Sequence, residues 1–205
     1  MKWVKQSIHY WCPDTKEHKF LGQNVTVAIL DTGISPHPDF KDRILSFRDF
    51  SSTTGSSEKV LFSFSHFSPL IDNSGHGTHV AGILAGSGLL SSGTYAGIAP
   101  FCNLIIGKVL DQNGNGSIKN VINGIQWIRD IYTQFHIRII NISVGTRPDL
   151  SIHQKLLLLN AVESLWDLGL VVVVSAGNYG PAPGSVTVPG SSPKVITVGV
   201  PDTFP

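Results

Sequence analysis

Cysteine is scarce in this chain: Cys12 and Cys102 are the two present among 205 residues, far apart and without Cys-x-x-Cys spacing. That disfavours a disulfide-built fold and fits unpaired thiols in a reducing compartment. Long apolar runs are lacking too, none approaching the roughly 20 residues that a membrane-spanning helix needs. Residues 1–13 hold Lys2, Trp3, Lys5 and Trp11 but no continuous apolar stretch followed by a small-residue cleavage site. No membrane partner is expected, and the expected location is cytoplasmic, with secretion as the alternative. Charge of one sign is missing as well, since 15 Lys and Arg against 14 Asp and Glu leave a net charge of +1. With no basic cluster and no aromatic–basic interleaving to follow a phosphate backbone, nucleic acid is not an expected partner.

What is present suits one domain. Hydrophobic residues make up 41% of the chain beside 21 Gly and 12 Pro, a composition for a single globular domain over residues 1–205 with many tight connections. Short β-rich apolar runs at residues 25–30, 104–110, 137–144, 170–174 and 195–200 are nearly continuous in hydrophobicity rather than alternating. Strands covered on both faces read this way, as parallel strands do. Between them, Ile118, Val121, Ile122, Ile125, Ile128 and Ile131 recur at helical spacing behind Ser117, a fitting N-cap. Residues 156–168 form a second helical pattern, stopped at Gly169. Alternating strand and helix predicts an α/β fold, a doubly wound, mostly parallel sheet with helices on both faces and its sites at the carboxyl ends of the strands. Residues 50–68, rich in Ser and Thr, and 86–97, rich in Ser and Gly, are expected surface loops rather than domain boundaries.

Three distant segments acquire chemistry when joined. Ile29-Leu30-Asp31-Thr32-Gly33 puts an acid at a strand end, and Ser175-Ala176-Gly177-Asn178 puts an amide at another. Between them, Ser74-Gly75-His76-Gly77-Thr78-His79-Val80-Ala81-Gly82 carries two histidines. Hydrolysis by a serine enzyme needs a hydroxyl, an imidazole to take its proton, a carboxylate to fix the imidazole's tautomer, and donors for the developing oxyanion. Asp31, His76 and Asn178 supply all but the hydroxyl. Taken singly, Asp31 and Asn178 are ordinary turn residues; the combination is what points to catalysis. An aspartic protease would need a second Asp-Thr-Gly, which the chain lacks. A zinc site at His76 and His79 would want His-Glu-x-x-His or a third ligand, whereas Gly77 and Thr78 stand between them. His76, among small residues suited to a helix N-terminus packed beside a strand end, is the expected base, and His79 is expected to be structural. Asp111-Gln112-Asn113-Gly114-Asn115-Gly116 imitates the opening of an EF-hand loop, but Ile122 stands where the bidentate Glu belongs. A nucleotide-binding domain would show Gly-x-Gly-x-x-Gly after a strand or a phosphate-binding Lys loop, and neither occurs.

The stretches Asp31-Thr32-Gly33-Ile34 with His37-Pro38-Asp39, His76-Gly77-Thr78-His79-Val80-Ala81-Gly82, Gly97-Ile98-Ala99-Pro100, Lys108-Val109-Leu110, Asn141-Ile142-Ser143-Val144-Gly145 and Ser175-Ala176-Gly177-Asn178 go further. From about residue 20 onward they give the chain a pattern that resembles the subtilase family, and most closely its intracellular bacterial members. The resemblance implies a serine endopeptidase acting on peptide or protein substrates, with Asp31 as orienting acid, His76 as general base and Asn178 as oxyanion donor. It also implies that Ser143, Val144 and Gly145 pair with substrate backbone beside the S1 pocket, and that Ala176 and Gly177 form the pocket's other wall. Gly114, Asn115 and Gly116 would offer a second edge, so that substrate is held as an added strand. No cofactor is required; structural calcium, frequent in the family, is implied at Asp39, whose partner ligands have no evident match in residues 86–97. The family's nucleophile stands in a Gly-Thr-Ser-Met-Ala motif near the start of a late helix, and these residues contain none. The expectation is an N-terminal portion of a catalytic domain, inactive by itself, with a catalytically dead protein that binds extended peptides as the alternative.

Overall fold

Short apolar runs bounded by turn residues form the strands, and their order in the sheet decides which strand ends meet. The structure, a computed structural model, describes residues 2–8, 10, 20–51, 58–60, 71–146 and 149–200. In chain order these contain helix α1 (Lys2–Ser7), strands β1 (Thr26–Asp31), β2 (Ile44–Asp49) and β3 (Glu58–Val60), and helix α2 (His76–Ala85). Strand β4 (Asn103–Lys108), helix α3 (Ile118–Ile131), strand β5 (Ile137–Ile142), helix α4 (Ile152–Asp167) and strands β6 (Val171–Ser175) and β7 (Ile196–Val198) follow. The sheet runs β3-β2-β4-β1-β5-β6-β7. Every pairing is parallel except that of β3 with β2. This is the doubly wound α/β arrangement, with β1 at its centre.

Strands β1 and β4 read as unbroken apolar runs because both of their faces are covered. On one face Ala28, Leu30, Ile105, Ile140, Val172 and Val174 pack with Ile125 and Ile128 of α3 and with Leu158, Val162 and Leu165 of α4. On the other, Val27, Ile29, Leu104 and Ile106 pack with Ala81 and Ala85 of α2 and with Phe40. Residues in register on neighbouring parallel strands share a face, so the α2 face continues from Val27 and Ile29 to Ile139, then Val171 and Val173, then Ile196 and Val198. Ile139 still packs with the covered residues of that face, but beyond it the continuation is open among the described residues. Val171 is 38% exposed, Ile196 49% and Val198 54%.

Helices α3 and α4 start at side-chain caps. The Ser117 hydroxyl accepts the Asn120 N–H at 3.1 Å and starts α3 where the sequence places it. Helix α4 starts four residues ahead of its expected beginning at 156, because Ser151 and Gln154 form a reciprocal capping box. The Gln154 amide donates to Ser151 Oγ and the Ser151 amide donates to Gln154 Oε1, each at 3.2 Å. Gly169, at φ +81°, ends the helix.

Other boundaries differ from expectation as well. Strand β2 has no counterpart among the expected strands, since Ser46, Arg48 and Asp49 break its apolar run; it pairs with β4 on one side and with only three residues of β3 on the other. Residues 143 and 144, expected in β5, lie beyond the strand's end at Ile142. The expected loop over 50–68 contains β3, and its residues 52–57 and 61–68 lie outside the described ones. Residues 86–97 are a loop holding one 3-10 turn, Leu89–Ser91. Cys102 is a buried free thiol, and Cys12 lies outside the described residues. No helix among the described residues is long and apolar enough to cross a membrane.

The capping box predicts that Ser151→Ala removes the acceptor for an otherwise unpaired helix donor and lowers stability by about 1 kcal/mol. A shift of the urea midpoint with an unchanged slope measures it.

Candidate active site

The acid and the imidazole come together because α2 begins against the end of β1. Asp31 is the last residue of β1 and its side chain is fully buried; His76 is the first residue of α2. Glycine at 77 allows the approach, since a Cβ there would lie 2.3 Å from the Gly33 carbonyl oxygen and 3.2 Å from Asp31 Oδ1. At that separation His76 Nδ1 lies 2.7 Å from Asp31 Oδ1. An ionised carboxylate only accepts, so Nδ1 carries the proton and Nε2 is the nitrogen free to take one. The Thr32 amide donates to the same Oδ1 at 2.6 Å, which fixes the carboxylate's orientation. Asp31 Oδ2 is buried without a partner among the described residues. The imidazole is 52% exposed.

Beneath this pair sits a residue that the sequence pattern does not single out. Asp72 is buried, and its carboxylate accepts from the Thr32 hydroxyl at 2.8 Å, the Ser74 and Gly75 amides at 3.2 and 2.9 Å, and the Thr78 amide and hydroxyl at 2.8 and 2.6 Å. Burial pushes this carboxyl's pKa up, but the hydrogen bonds from Thr78, Gly75 and Thr32 outweigh it and hold the group below its ordinary value. A depressed carboxylate contributes stability that is present above its unfolded pKa and is lost as pH falls through the folded one. The available signal was an Asp a few residues before a helix start, although the cap position of α2 itself is held by Gly75. Lys108, 5% exposed, adds a tie from β4, donating through Nζ to the Thr32 carbonyl at 2.5 Å and the Leu110 carbonyl at 2.9 Å.

The remaining candidates line the carboxyl edge of the same sheet. Ser143, Val144 and Gly145 follow β5, Ala176, Gly177 and Asn178 follow β6, and Gly114, Asn115 and Gly116 lie in the loop after β4. Two interstrand spacings separate β1 from β6, about 10 Å; Asn178, exposed, thus stands across β5 from Asp31. The loops after β5 and β6 touch: a Cβ on Gly145 would lie 3.2 Å from Gly177 Cα and 3.6 Å from Thr187 Oγ1. Thr187, whose buried hydroxyl has no partner among the described residues, faces both glycines, and no local sequence pattern marks it. Asp111 Oδ1 accepts the Asn113 and Asn115 amides at 2.8 and 2.9 Å, so the acid that imitates an EF-hand organises its own turn. His79 is exposed on α2.

Asp39 does not sit in a donor set suited to calcium. Its two carboxylate oxygens accept the Gly88 and Leu89 amides at 2.9 and 3.0 Å. The Arg43 guanidinium donates to the nearby carbonyls of Asp39, Ala85 (2.7 Å) and Cys102 (2.9 Å). Calcium needs six or more oxygens turned toward it, and here those carbonyls are turned toward a cation that the chain supplies. No cluster of three or more His, Cys, Asp or Glu side chains that could hold a metal occurs among the described residues. Burial pulls the Arg43 pKa below its ordinary value, and burial also pushes the Cys102 thiol up to about 11, which leaves it neutral.

Comparison with known proteins identifies the family and the fold. The model of the subtilase family matches residues 22–203. The serine protease AprX of Bacillus subtilis (strain 168) is 43% identical over 186 residues, covering 88% of this chain and 39% of that protein. The major intracellular serine protease of the same strain is 36% identical over 183 residues, covering 87% of this chain and 51% of that protein. Among solved structures, sphericase superposes with a TM-score of 0.71 at 31% identity, covering 86% of this chain and 53% of its own. The chain therefore spans about two fifths to one half of the length of these proteins.

Because the Asp31–His76 contact depends on glycine at 77, Gly77→Ala is expected to force α2 away from β1, at a cost of about 1–3 kcal/mol. The low-field Nδ1 proton resonance of His76 should disappear in that variant, and its persistence at full intensity would show that α2 tolerates the methyl group.

Proposed function

The chain belongs to the subtilase family, and from that premise we propose that residues 1–205 carry the acid–base and substrate-binding part of a serine endopeptidase whose nucleophilic serine lies outside them. The observation that carries the proposal is the 2.7 Å contact between buried Asp31 and half-exposed His76 at the carboxyl edge of the sheet. His76 Nε2 takes the serine proton as the hydroxyl attacks the scissile carbonyl, and Asp31 holds the tautomer and stabilises the imidazolium. Asn178 donates to the developing oxyanion. The same imidazolium then protonates the leaving amine. Peptide substrate lies as an added strand between Gly114, Asn115 and Gly116 on one side and Ser143, Val144 and Gly145 on the other, its side chain directed at Ala176 and Gly177.

The bare half of the α2 face supports placing the serine elsewhere. A helix laid over Val171, Val173, Ile196 and Val198, parallel to α2 in the same layer, would begin at the carboxyl ends of the strands as α2 does. Its first turn would then stand beside His76, and its apolar side would cover what the described residues leave exposed. An intracellular location, carried in the name of one relative, belongs to the same proposal.

Alone, residues 1–205 should cleave no casein and should bind a hydrophobic dye. Joined to a relative's segment bearing Gly-Thr-Ser-Met-Ala, they should hydrolyse casein, lose dye binding, and be inactivated by serine-directed phosphonyl or sulfonyl reagents. Cleavage that resists those reagents but yields to a chelator would sink the proposal. In the joined protein His76→Ala should cost several orders of magnitude in kcat with little change in KM. Asn178→Ala should cost about 10²–10³, the magnitude known for the oxyanion asparagine of subtilisin itself. Calcium is not needed at Asp39 in this account, so the melting temperature of residues 1–205 should be equal in calcium and in chelator and should fall in Arg43→Met; a calcium-dependent rise would show that the Asp39 region takes the ion.

A further inference from the structure

We infer that Asp72 is a positioning residue for the Asp31–His76 pair, setting both where the imidazole stands and how readily it takes a proton. The inference rests on the reading of that pair as the acid and base. Two hydroxyl relays end on Asp72, and each begins in one of the two segments that must be held together. The Gly77 amide, adjacent to His76, donates to the Thr32 hydroxyl at 2.9 Å, and that hydroxyl donates to Asp72 Oδ1 at 2.8 Å. The Ser35 amide, in the segment leaving β1, donates to the Thr78 hydroxyl at 2.9 Å, and that hydroxyl donates to Asp72 Oδ2 at 2.6 Å. An ionised carboxylate has no proton to give, so both hydroxyls must point at it and both amides must donate to them. The direction of every bond is thereby fixed. Thr32, held in this way, is the residue whose amide grips Asp31 Oδ1.

Charge supplies the second half of the inference. His76 occupies the first position of α2, where the positive end of the helix dipole opposes protonation of an imidazole. Asp72 accepts the Gly75 and Thr78 amides of that same terminus and so places a negative charge on it. The groups bearing on His76 are Asp31 from β1, Asp72 from the segment ahead of α2, Lys108 from β4 through the Thr32 carbonyl, and His79 on α2 itself. Of these, Asp72 is the one that offsets the helix terminus. Its removal leaves the helix dipole acting on the imidazole with Asp31 as the sole carboxylate bonded to it among the described residues.

The test uses residues 1–205 as they are and needs no catalysis, so its outcome is separate from that of the proposed function. The His76 ring is titrated by NMR, its signals assigned with His76→Gln. Asp72→Asn should lower the pH at which the His76 ring titrates and broaden or remove the low-field Nδ1 proton. Asp39→Asn, which also deprives backbone amides of a carboxylate, should lower the melting temperature without moving either signal. Should Asp72→Asn fail to fold, Thr78→Val removes one relay and Thr78→Ser restores it; the titration should shift in the first and return in the second. An Asp72→Asn or Thr78→Val protein that is folded and less stable, yet has the parent His76 titration and Nδ1 resonance, overturns the inference and leaves Asp72 a helix cap only.

Discussion

The separation between the first turn of α2 and the end of β1 is the constraint on which the site depends. A fully buried carboxylate is tolerable only if its charge is met by donors, and Asp31 meets two of them, the Thr32 amide and the His76 ring, on one oxygen. The Thr32 amide is supplied locally by the next residue, but the His76 ring is available only if the helix comes closer to the strand than a Cβ at 77 would permit. The close approach in turn brings the backbone donors of the helix start against the segment leaving β1. Thr32 and Asp72 accept those donors, and Thr78, which also receives the Ser35 amide, closes the network. Packing and electrostatics are therefore one problem here, solved by small residues that let polar groups reach each other.

The sheet has two unlike halves. From β2 to β1 the α2 face is covered; from β6 to β7 the same face is open, while the opposite face of β5 and β6 is packed by α3 and α4. The boundary runs beside β1, where Asp31 and His76 meet. Under the proposed function, an element covering the open half would be brought next to His76 by the same burial of apolar surface that holds it in place.

Much of this was legible in the chain itself. The central strands announce themselves because burial on both faces demands uninterrupted apolar residues, and Ser117 and Gly169 mark helix ends through local chemistry that needs no tertiary partner. Strand β2 was not legible, because a strand near the sheet edge interrupted by polar residues has no continuous apolar signal. The early start of α4 lay in Ser151 and Gln154, a pair whose meaning is positional rather than hydrophobic. Asp72 and Thr187 were missed for a different reason: their partners come from segments far away in sequence, and a single Asp or Thr carries no periodicity.

Sequence alone determined the chemical types and their order, an acid at one strand end, an imidazole among glycines, an amide at another strand end, because those depend on residue identity and on short-range pattern. Tertiary structure alone decided that Asp31 and His76 stand 2.7 Å apart, that Asp39 faces amides and a guanidinium neighbourhood rather than an open ring of oxygens, and that half of one sheet face is bare among the described residues. Distance, the direction of a hydrogen bond, and the covering of a surface are properties of segments brought together from afar, and the chain fixes them only through the packing of the whole sheet.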